Sequence, residues 1–81
     1  MGEGWFSKPV SVAVGVAGNV RIVESAREAI KMLSENWRSQ GSEKHKAATR
    51  ACQAAVRGDT APDVARQAFV DAAEEARVLA G

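Results

Sequence analysis

Eighty-one residues with a net charge of +1, 46% of them hydrophobic and 26% charged, describe one small folded domain over residues 1–81 and exclude a disordered chain. That near-neutral balance supplies no global attraction to nucleic acid or to an anionic membrane. Much of the hydrophobic fraction is alanine, with two Trp and two Phe as the aromatic bulk, so a thin core is expected.

The opening MGEGWFSKPV has neither the basic n-region nor the apolar h-region of a signal peptide, and Phe6 breaks the myristoylation pattern. No apolar run approaches the roughly 18 residues of a membrane span. Cys52, the one cysteine, forms no internal disulfide and fits a reducing compartment. A soluble cytoplasmic protein is the expectation.

In chain order, the first element is a hairpin. Val10, Val12 and Val14 alternate with Ser11 and Ala13, and Val20 and Ile22 alternate with Arg21 and Val23, the period of half-buried strands. A three-residue loop, Val16-Ala17-Gly18, sets Val14 opposite Val20 and Val12 opposite Ile22, with the apolar residues on one face.

Ser25 with Glu28 three residues on reads as a capping box, and Ala26, Ala29, Ile30, Leu33 and Trp37 form one stripe of the helix behind it. RSQGS (38–42) ends that helix. Ser42 caps a second, lined by Ala48, Ala51, Cys52 and Ala55, and Gly58 stops it. Thr60 is the cap candidate of a third, with Pro62 in its first turn and Asp63 at N3. Its stripe is Ala65, Ala68, Phe69, Ala72, Ala76 and Leu79.

The predicted fold class is α+β, an N-terminal two-stranded β-hairpin packed on three α-helices (ββααα). A lone ribbon leaves two exposed edges and must lie on the helices. Pairing of two hairpin edges in a homodimer is therefore an expectation.

Four segments carry a resemblance: WFSKPVSV at the start, VESAREAIKMLSENW through Trp37, AATRACQAAVRG around Cys52, and ARQAFVDAAEEARVL near the end. In this order and spacing the chain resembles the Domain of Unknown Function 982 family of short bacterial proteins. The resemblance implies one small α+β domain over nearly the whole chain. It implies no activity, and no catalytic or binding residue carries over from it.

The residues themselves offer little chemistry. His45 and Cys52 stand alone in their types, two helical turns and about 10 Å of rise apart, too far for a nucleophile pair. They are too few for a zinc site. GVAGNV (15–20) matches no phosphate-binding loop and leads into a strand. Asp71, Glu74 and Glu75 read as a solvated acidic face. No catalytic residue, metal or cofactor is expected, and the chain reads as a non-enzyme.

The sharpest anomaly is SEKHK (42–46), where Lys44, His45 and Lys46 crowd a helix start that favours acids. Lys46, Arg50, Gln53 and Arg57 continue this as a mostly basic stripe. As a function, Lys44, His45, Lys46, Arg50 and Arg57 form an anion or nucleic-acid contact. Against it, no aromatic residue lies within 38–68 for base stacking, and +1 is no basic footprint. As structure, Glu74 and Glu75 are equally misplaced near a helix C-terminus. Antiparallel packing of the last two helices would set Lys44 or Lys46 against Glu74 or Glu75, each cluster compensating the other.

Trp5 and Phe6 either cover the open end of the core or, where exposed, anchor a partner. The sequence thus supports a small interaction or regulatory module with a protein partner, with anion or nucleic-acid binding as the alternative and no membrane.

Overall fold

The computed structural model describes residues 4–14, 19–35, 37 and 40–80. Strands β1 (Trp5–Val14) and β2 (Asn19–Ser25) form an antiparallel pair, followed by α1 (Ala26–Glu35), α2 (Glu43–Arg57) and α3 (Pro62–Glu75). The α+β, ββααα arrangement expected from the sequence is the fold. The core gathers Val10, Val12 and Val23 from the sheet, Ala29 and Leu33 from α1, Ala48, Cys52 and Ala55 from α2, and Ala65, Phe69 and Ala72 from α3.

The register differs from expectation. Val14 pairs with Asn19, Val12 with Arg21 and Val10 with Val23. The turn residues Val16-Ala17-Gly18 lie outside the described residues. The slip is odd, so β2 presents Val23 and Ser25 to the core while Val20 and Ile22 face out. The cause lies at the end of β2, which runs into α1 with no loop. Ser25, fully buried, accepts the Glu28 amide at 3.2 Å as a helix cap, and Ala26 next to it is buried too. With Ser25 held inward, alternation sends Val23 in and Glu24, Ile22 and Val20 out. The capping box forms with one change of partner: the Glu28 carboxylate accepts the amide of Glu24, at 2.8 Å.

The end of α3 also departs from the expected stripe. The helix stops at Glu75, and Arg77 takes a left-handed conformation (φ 59°) that turns the chain back toward the sheet. Leu79 then bridges Val12, the Ala13 amide donates to the Val78 carbonyl at 2.6 Å, and the Ala80 amide to the Ser11 carbonyl at 2.9 Å. Residues 78–80 therefore cover the outer edge of β1. Of the two edges expected to be open, one is closed.

Three further ties set the frame. Gly58, left-handed at φ 86°, ends α2 as expected. Thr60 is not the cap of α3: Ala61 is, without a side-chain bond, and Pro62 opens the helix. Along the irregular part of β1, the Ser7 amide donates to Asp63 at 3.0 Å and the Arg66 guanidinium to the Lys8 carbonyl at 2.8 Å. The Ser7 bond holds the exposed Asp63 carboxyl below its usual range. Among the described residues no helix is long and apolar enough to cross a membrane.

Candidate functional site

Two places in the fold are candidates: the corner where α2 begins, and the edge of β2.

At the corner, the packing of α2 against α3 brings the start of one beside the end of the other. The contact is not the expected lysine–glutamate pair. Among the described residues neither Lys44 nor Lys46 forms an ion pair with Glu74 or Glu75. Ser42 makes the contact instead. Its hydroxyl donates to Glu75 Oε1 at 2.6 Å and accepts the His45 amide at 3.1 Å. The Glu75 carboxylate thus stands at the positive end of α2, where an external anion would otherwise bind.

His45 points inward. Its Nδ1 accepts the Gly41 amide at 3.3 Å, which leaves the proton on Nε2, 2.8 Å from the Leu33 carbonyl near the end of α1. The ring ties together the end of α1, the turn at Gly41 and the start of α2, and it does not share the outer surface of Lys44, Lys46 and Arg50. Those three are exposed. Arg57 is paired with Asp59 at 3.0 Å. Lys44, Lys46 and Arg50 thus lie exposed along α2, while the Ser42–Glu75 hydrogen bond occupies its first turn.

Deeper in, Trp37 packs between His45 and Phe69, with ring centroids 6.5 Å and 5.4 Å away. Its buried indole N–H has no acceptor among the described residues. The Cys52 thiol is buried, and desolvation pushes it up to about 12, which leaves an unreactive thiol at neutral pH. Among the described residues no three His, Cys, Asp or Glu side chains gather where a metal could sit.

The sheet edge is the second candidate. In an antiparallel strand, successive residues direct their backbone groups to alternate sides. Ser11 and Ala13 bond to residues 78–80, so Val10, Val12 and Val14 bond to β2 through Val23, Arg21 and Asn19. Val20, Ile22 and Glu24 consequently aim their amides and carbonyls away from β1. The Glu24 amide is taken by Glu28. At Val20 and Ile22 the outward groups are unpaired among the described residues, and both side chains are exposed, by 58% and 54%.

Sequence reasoning missed these two residues because it placed them in the core. The available signal was the loopless junction at Ser25, whose inward cap sets the parity of β2. Of the aromatic pair, Trp5 is 63% exposed while Phe6 packs partly against the core.

These features define a small α+β domain whose sheet, among the described residues, is covered along β1 and uncovered along β2 at Val20 and Ile22. The sequence profile of the proteins of unknown function called DUF982 matches residues 8–80, and the chain belongs to that family. Among solved structures it is similar to the NMR structure of Agrobacterium tumefaciens protein Atu1219. The two share 35% identity with a TM-score of 0.78, over 95% of this chain and 76% of the other. No curated protein matches.

Proposed function

We propose that the chain is a non-enzymatic protein-interaction module of the cytoplasm that accepts an extended polypeptide segment along the β2 edge. One observation carries this reading: Val20 and Ile22 present backbone groups unpaired among the described residues, and exposed β-branched side chains, at the same edge. Strand addition uses such a pair of features, main-chain bonds for affinity and alternate side chains for selectivity. The anion-binding alternative is weakened by Glu75, which already occupies the start of α2.

The test is an amide NMR titration of the labelled protein with short extended peptides rich in Val, Ile and Thr. Saturable shifts confined to residues 19–25 support the reading. Shifts confined to Lys44, Lys46 and Arg50 on adding phosphate or a DNA duplex, with residues 19–25 unmoved, overturn it.

A further inference from the structure

We infer that the segment the β2 edge accepts is β2 of a second copy, paired antiparallel across a two-fold axis that passes through Arg21. The inference rests on the interaction reading above and specifies its partner.

One end of the edge is closed, because the Glu24 amide is bound to Glu28. The window with both donor and acceptor available is therefore Val20 to Ile22. A two-fold contact centred on Arg21 opposes Val20 to Ile22 of the second copy and Ile22 to its Val20. Both are hydrogen-bonded pairs, so every outward amide and carbonyl of the two residues is used in both copies. A register centred on Ile22 would oppose Val20 to Glu24, whose amide is already engaged, and would leave a Val20 carbonyl without a donor in each copy. The same symmetry brings four β-branched side chains together on the outer face, beside Ser11 and Ala13.

Charge decides two further points. A net charge of +1 sets little self-repulsion against association. Locally, however, Arg21 meets its own symmetry mate as a non-hydrogen-bonded pair, with Cα atoms about 4.5 Å apart. Two exposed like charges so placed repel, and salt screens them. The dimer is thus expected to strengthen as salt rises, opposite to the behaviour of nucleic-acid binding. The contact is also small: one short strand edge falls below the ~1,200 Å² typical of stable interfaces, so the association is weak and concentration-dependent.

The experiment is an amide NMR concentration series from micromolar to millimolar protein, at low and high salt. It is joined by an isotope-filtered NOE measurement on a mixed labelled and unlabelled sample. Expected are concentration-dependent shifts centred on residues 20–22, an Hα–Hα contact between the two Arg21 residues, and association several-fold tighter at high salt. Arg21→Gln should tighten it at low salt and remove the salt effect. Ile22→Lys, and independently Ile22→Pro, should keep the dispersed spectrum and stay monomeric. The outward amide of Ile22 has no partner among the described residues, so proline costs none of their ladder bonds there.

A protein monomeric at millimolar concentration in both salts overturns the inference. So does a dimer whose shifts lie on another surface. If residues 19–25 respond to extended peptides but not to protein concentration, the interaction reading survives and the second-copy inference fails. If they respond to neither, both fail.

Discussion

Replacing Ser42 with alanine tests the claim that α2 begins on an internal carboxylate. The Ser42 oxygen serves two partners, the His45 amide and the Glu75 carboxylate. Loss of an N-cap oxygen costs about 1 kcal/mol. The bond to Glu75 is short but lies at an exposed site, so screening limits it to about 0.5 kcal/mol. Ser42→Ala should therefore lose about 1.5 kcal/mol, read as a lower urea midpoint with an unchanged slope. For a domain of this size that is a fall in Tm of about 6–12 °C.

Glu75→Ala alone should lose about 0.5 kcal/mol, and the double variant should show coupling of about the same size. Glu75→Ala also vacates the start of α2. Phosphate should then stabilise that variant in a concentration-dependent way while leaving the parent unchanged. If Ser42→Ala and Glu75→Ala show no coupling, or if phosphate stabilises the parent as strongly as the variant, Glu75 is not the resident anion and the reasoning fails.

Three other perturbations probe the fold. Ile22→Thr should change stability by less than about 0.5 kcal/mol in monomer conditions while Val23→Ala costs about 1–2 kcal/mol, an order that urea melts would reverse if Ile22 faced the core. Gly4→Ala should cost about 1–2 kcal/mol, because Gly4 has φ +67° and an added Cβ would stand 2.9 Å from that of Ala26. For Cys52, the folded thiol is raised to about 12 from 9.0, so above pH 9 the unfolded chain releases a proton that the folded chain keeps. Stability attributable to it is intact below pH 9 and falls by up to about 1.4 kcal/mol per pH unit above it, a slope absent from Cys52→Ala.

The helices were legible because their apolar stripes are long and their caps explicit. Ala29, Leu33, Ala48, Cys52, Ala55, Ala65, Phe69 and Ala72 are all buried as their spacing requires, whereas Trp37, expected on the same stripe as Leu33, is buried beyond the end of α1 at Glu35. The ribbon was less so, and the reason is specific. Val20, Ile22 and Val23 are all apolar, so alternation alone admits two opposite parities. The choice belongs to the inward cap at Ser25, a contact with the next element. Nor was the tail legible as a sheet partner, since Leu79 continues the period of α3 and only the reversal at Arg77 removes it from the helix. At the α2 corner the meeting of helix ends followed from short connections, but Ser42 intervenes because its cap position already points at Glu75.

The two sheet edges are treated differently, and that difference gives the open one its weight. A strand edge invites unwanted pairing, and proteins blunt it with proline, lysine, irregularity or a covering segment. Here β1 carries Lys8, Pro9, a register shift between Trp5 and Val10, and the covering residues 78–80. On β2, among the described residues, only the Glu24 end is closed, by the Glu28 carboxylate. Serine or threonine at 20 and 22 would satisfy the same parity and keep strand propensity while leaving a polar face. Val20 and Ile22 instead make the unprotected window apolar. A chain that closes one edge several times over and, among the described residues, leaves the outward-facing Val20 and Ile22 open on the other has not met a uniform need for protection. Arg21 in the middle of that window then limits how tightly it closes.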